Sequence, residues 1–195
     1  MKSNICKIEK GAENLDVIFC ESDKVAEYNE LNHKHALQLR LLCEEIVNML
    51  PAIVSNFSGE FWIETEGDYY ELCLRALVKN MDLDTRERFI NISKNNKNAS
   101  IVGITGKIRA VFDYMVMGVN DPIVSPAGRY GFSTNVDFSQ LWSLQDYRDS
   151  VKNDANGEEQ EWDEFERSII VKLADDVVVG VKGENVTIII KKKFA

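Results

Sequence analysis

The chain has no apolar run approaching the ~20 residues of a membrane-spanning helix. Its opening, Met1-Lys-Ser-Asn-Ile-Cys-Lys7, has no apolar signal core either. Both absences predict a cytoplasmic protein without a membrane partner. Histidine is scarce: His33 and His35 lie two residues apart, too close to share a helical metal face, and are expected as solvated residues near a helix start. The cysteines Cys6, Cys20, Cys43 and Cys73 are scattered, with no Cys-x-x-Cys and no local Cys/His pairing, which argues against a structural zinc site. Cys43 and Cys73 fall in apolar-rich stretches, where a reduced thiol behaves as a small hydrophobe. A Gly-x-Ser-x-Gly nucleophile motif is missing, and no internal repeat is present. Carboxylates are plentiful in Glu158–Glu166, but no nucleophile–base pair accompanies them, so a hydrolase built there is disfavoured.

What is present fits one well-packed domain over residues 1–195, with an atypical lid or insertion at about 84–160. Apolar residues make up 45% and charged residues 28%, the composition of an ordinary globular chain. A net charge of −9 argues against a general nucleic-acid binder. That charge is unevenly spread. Asp84 to Arg109 holds six basic and two acidic residues, a stretch suited to meeting phosphate. Gln145 to Glu166 reverses the balance with nine acidic residues, as a solvated face would.

Along the chain, Val17–Cys20 reads as a short strand, after which Ser22 caps a helix over Asp23–Glu30. Asn32 offers a second cap, followed by Leu39, Leu42, Cys43, Ile46, Leu50 and Ile53 at helical spacing, with Pro51 kinking or ending the helix. Phe61–Glu66 and Tyr69–Val78 read as a hairpin around Gly67-Asp68. Short helices are expected at 84–93 and from Gly103 to Met117; 118–135, with Pro122 and Pro126, reads as loop. Gln145–Glu161 is the best candidate for disorder. A helix over Trp162–Ala174 and a second hairpin, Val177–Val181 with Val186–Lys191, lead to Lys191-Lys-Lys193, read as a solubilising edge or tail.

Glu44 and Asn48 stand four apart on the predicted helix, so they share a face. A carboxylate and an amide oxygen so placed can hold magnesium and orient a water beside a nucleotide phosphate. The competing reading is an amphipathic core helix with an exposed polar stripe. Gly103-Ile-Thr-Gly106-Lys107 opens a predicted helix with Gly-x-x-Gly-Lys; it lacks the Walker A spacing, yet its backbone N–H groups and lysine can face an anion.

The order of elements resembles the GHKL-type ATP-binding domain of histidine kinases, type II topoisomerases and anti-sigma factor kinases. Three stretches, about half of the chain, carry it: Ala36–Leu50 for the asparagine-box helix, Tyr69–Val78 for the strand before the adenine turn, and Ile169–Lys192 for the last helix and hairpin. The resemblance implies an α+β fold, a two-layer α/β sandwich whose mixed, mainly antiparallel sheet carries helices on one face (Bergerat-like ATPase fold). It implies ATP and magnesium as cofactors. Glu44 becomes the base or water-orienting carboxylate, Asn48 the magnesium ligand through its side-chain oxygen, and Glu45 a neighbour of these two in the nucleotide site with no role of its own assigned. Asn80 or Asp82 takes the adenine-reading role, and Thr187 the adenine-side threonine. Lys79-Asn-Met-Asp-Leu-Asp84 stands where the family has Asp-x-Gly-x-Gly, and Glu164-Phe-Glu-Arg-Ser168 where it has a glycine-rich lid. The expected function is that of an ATP-binding regulatory protein of the anti-sigma kinase type, an ATPase or serine kinase with a regulatory protein partner. The alternative is a non-enzymatic protein-interaction module that kept the fold and lost the nucleotide.

Overall fold

The computed structural model describes residues 1–9, 15–53, 57–78, 140–153, 168–182 and 185–194. The predicted helices at 84–93 and 103–117, the loop at 118–135, and residues 162–167 lie outside these. Cys6–Glu9 (β1) alternates buried Cys6 and Ile8 with exposed Lys7 and Glu9, the period of a half-buried strand. Leu15–Tyr28 (α1) and His33–Ile53 (α2) follow, then the strands Phe57–Glu66 (β2) and Tyr69–Val78 (β3). Gln140–Ser143 (β4) leads straight into Leu144–Asn153 (α3). Ile169–Leu173 (α4), Asp176–Lys182 (β5) and Asn185–Lys193 (β6) complete the order.

The strands form a six-stranded sheet in the order β1-β2-β3-β6-β5-β4, and every pairing between these strands is antiparallel. The mainly antiparallel sheet and the α+β class hold, with no parallel pairing among the described residues. Period-2 alternation sends Phe61, Ile63, Leu72, Leu74, Ile188, Ile190, Val177 and Val179 to one face, where they join Ile18, Leu39, Leu42, Ile46 and Ile170 from the helices. Trp62, Cys73, Ile189 and Val178, each directly opposite the next across the four central strands, form a separate buried cluster on the other face.

Val17–Cys20 is not a strand. It belongs to α1, because Ile18, Glu21, Ser22, Val25 and Ala26 bury one helical stripe, and a four-residue apolar run cannot by itself distinguish the two periods. Ser22 therefore sits inside the helix, fully buried, with no hydrogen-bond partner for Oγ, rather than capping anything. The helix ends in a Schellman turn: Glu30 takes φ +52°, Leu31 N–H donates to Ala26 C=O (2.9 Å) and Glu30 N–H to Glu27 C=O (3.1 Å). Asn32 does cap α2, its Oδ1 accepting from His35 N–H at 2.9 Å. Gly67, at φ +57°, supplies the first loop residue of the predicted hairpin, which closes on Glu66 opposite Tyr69.

Two further expectations are corrected. Residues 145–153 are helical, because Ser143 Oγ accepts from Asp146 N–H and Asp176 Oδ1 from Gln145 N–H, satisfying two of the donors a helix start leaves open. The Arg148 guanidinium ties this helix to the Val171 and Asp175 carbonyls. Lys191–Lys193 is no tail: it lies in β6 opposite Tyr69–Glu71, with Lys191 paired to Glu71 and Lys192 to Asp175. Phe194 then folds over Tyr70 (ring centroids 4.9 Å, edge-on) and stacks on His35 (5.1 Å).

Candidate functional site

α2 positions Glu44, Glu45 and Asn48. Its buried stripe is Leu39, Leu42, Cys43, Ile46, Val47 and Met49. Nine positions at about 100° each put Asn48 half a turn from Leu39, away from that stripe. Asn48 is accordingly exposed, whereas Glu44 and Glu45 are half-buried. Burial raises the Glu45 carboxyl above its usual range, with the neighbouring Glu44 carboxylate adding to the effect. Leu37, on the same outward side, is 51% exposed.

Thr187 is buried in β6 opposite Arg75 and Gly180. It shares pleat parity with Ile189, hence the face of the Trp62 cluster, while Ile188 and Ile190 point to the helices. The sheet therefore stands between Thr187 and the Glu44/Asn48 face of α2. These residues are not brought together. Asn80, Asp82, Gly103, Gly106 and Lys107 lie outside the described residues.

Magnesium needs hard oxygen donors and accepts as few as one or two from protein. Glu44 and Asn48 are of the right chemistry. Yet among the described residues no group of three or more His, Cys, Asp or Glu side chains is arranged to hold a metal. With Thr187 across the sheet, the described residues do not form a common cradle for a magnesium nucleotide.

A concavity of about 300 Å³ opens elsewhere, where β1, β2, β3 and the start of β6 meet. Lys7, Glu9, Glu60 and Arg75 supply its charges, and Ser58 and Asn185 its neutral polar groups. Register puts Lys7 opposite Glu60, and Glu60 opposite Arg75, on the face away from the helices. Gly59 lines it through its backbone; a Cβ there would share the helix-facing side with Ile8 and Ala76 and would meet the Arg75 carbonyl oxygen at 2.9 Å, so a side chain is excluded by backbone. Leu77, next to the last residue of β3, also lines it. Sequence reasoning missed these residues. Alternation in 6–9 and 69–78 marks one face of each strand, but only the register shows which charges meet.

The remaining shifted groups have structural explanations. Burial pushes the Cys43 thiol up to about 12, and raises Cys73 as well, so both behave as the inert hydrophobes expected. Glu21 is held below the usual carboxylate range, chiefly by the Lys24 ammonium at 2.7 Å and also by Asn4. Asp176 is 5% exposed and is raised by burial, against the two backbone N–H groups, of Gln145 and Val177, that its Oδ1 accepts. In the window above the ordinary Asp value the folded protein holds a proton that the unfolded chain has lost, so this group's contribution to stability falls as pH rises. Asp176→Asn keeps an acceptor oxygen and removes the titration. Its stability relative to wild type is expected to improve with rising pH through that window and then level off, as measured by urea unfolding at several pH values. A difference that does not vary with pH would show that Asp176 carries no such cost.

No helix among the described residues is long and apolar enough to cross a membrane. Compared with known proteins, the chain matches no protein-family model, and no curated protein matches it.

Proposed function

We propose that this chain is a non-enzymatic protein-interaction module that keeps a GHKL-like, Bergerat-type scaffold without its nucleotide chemistry. The observation that carries this reading is the sheet lying between Thr187 and the Glu44/Asn48 face of α2. Phosphoryl transfer depends on positioning base, metal and nucleotide within one pocket. Residues on opposite sides of a β-layer cannot share that work. The long asparagine-box-like helix packed on an antiparallel sheet, and the closing β5–β6 hairpin, support the scaffold half of the reading. The exposed Asn48 amide and the outward Leu37 are available to a protein partner.

A second reading, magnesium–nucleotide binding with Glu44 as base, is favoured by the half-buried Glu44 and Glu45 and the raised Glu45 carboxyl. Thermal unfolding with ATP or ADP, with and without magnesium, separates the two. A ligand at 100 times its Kd adds ~2.7 kcal/mol, a visible rise in Tm. No rise at millimolar nucleotide is expected, with Asn48→Ala behaving as wild type. A magnesium-dependent rise that Asn48→Ala abolishes would establish the nucleotide reading instead.

A further inference from the structure

We propose that the concavity between β1, β2, β3 and β6 is a binding site for a small zwitterion, with the ligand's carboxylate on Arg75 and its ammonium on Glu60. This goes beyond the interaction reading and does not depend on it. Three observations carry the assignment.

The first is the charge pattern. Lys7, Glu60 and Arg75 stand directly opposite one another on three adjacent strands, so positive, negative and positive groups alternate across the sheet. Glu9 adds a second carboxylate one row away. A purely anionic ligand reaching Arg75 meets Glu60, and a purely cationic one reaching Glu60 meets Arg75 and Lys7. Only a ligand carrying both signs satisfies the row.

The second is that these charges are not spent on each other. Opposite charges placed across strands ordinarily pair. Here Lys7, Glu9 and Glu60 enter no ion pair or side-chain hydrogen bond among the described residues, although Glu64 on β2 pairs with Lys2 and Glu71 on β3 pairs with Lys191 on β6. Arg75 stands over the Trp62 ring at 5.4 Å, which steadies its guanidinium while leaving its N–H fork available to a carboxylate.

The third is size. The hollow of about 300 Å³ is at the small end of ligand sites. Strand spacing of about 4.8 Å separates the Glu60 and Arg75 backbones. An unblocked dipeptide, spanning at most about 7 Å when extended, is long enough to bridge neighbouring strands and short enough for the hollow. Asn185 and Ser58 line the same hollow and offer groups to its amide.

The test is isothermal titration of the full chain with alanyl-alanine, its N-acetyl derivative and its C-terminal amide. Saturable binding of the unblocked dipeptide is expected, with either block weakening it about tenfold or more, the loss of one charge-assisted contact. Arg75→Gln and Glu60→Gln should each do the same to the unblocked form while leaving Tm near wild type. Absence of saturation by about 10 mM, equal affinity for blocked and unblocked peptides, or unchanged binding in both variants overturns the proposal. The blocked peptides test it on unaltered protein, so it remains falsifiable whether or not a variant folds. Nucleotide-induced shifts are measured separately, so failure here leaves the interaction reading standing.

Discussion

Phe61→Ala is expected to lose about 3–5 kcal/mol of unfolding free energy, read as a lower urea midpoint at unchanged slope. Phe61 is fully buried, flanked by Cys6 on β1 and Leu74 on β3. Two terms add: the lost transfer energy of the ring, and the void that remains. The void cannot close cheaply, because backbone ladders on both sides of β2 hold the neighbouring strands at fixed spacing. Phe61→Leu, which retains most of the apolar bulk, should recover much of the loss. A cost near 1 kcal/mol for the alanine variant would mean that the helices settle onto the sheet freely, contrary to the packing described.

Gly59→Val is expected to cost about 1–3 kcal/mol through overpacking, a loss no repacking of side chains can relieve. The nearest atom to the added Cβ is the Arg75 carbonyl oxygen at 2.9 Å, closer than real Cβ atoms come. Ala76 follows at 3.7 Å, so the backbones of β2 and β3 must part locally. The same separation disturbs Ile8, opposite Gly59 on β1. Gly59→Ala should share the sign of the effect. Wild-type stability in both variants, measured by thermal unfolding, would show that the β2–β3 ladder yields without loss.

The α+β class, both hairpins, the Asn32 cap and the burial of Cys43 and Cys73 were legible in residues alone, because each rests on a local signal. Gly67-Asp68 marks a turn wherever it occurs between alternating runs. The errors fell where a local signal is ambiguous. Val17-Ile-Phe-Cys20 is as good a strand as a helix until Ile18, Val25 and Ala26 are seen on one buried stripe. The start of the acidic stretch, Gln145–Asn153, reads as too polar to order, yet Asp176, distant in sequence, caps its helix. Glu44 and Asn48 do share a helix face, as their spacing requires. Which way that face turns is decided by the stripe Leu39, Leu42, Cys43 and Ile46, and it turns away from the sheet. The charges around the concavity were invisible for a related reason. Register between strands is a property of the assembled sheet, and no single strand encodes it.

The central seam of the sheet joins β3 to β6, two strands far apart in sequence. During synthesis the β1–β2–β3 half emerges with the Tyr69–Val78 edge lacking its neighbour, and this edge waits until Asn185–Lys193 has been made before closure. Such distant contacts reward the chain only after a large loop has been closed, which slows the rate-limiting step. The waiting edge carries Leu72, Cys73 and Leu74, so it is also where nascent chains would associate wrongly with one another. Completion of this sheet is thus governed by when the β5–β6 hairpin arrives.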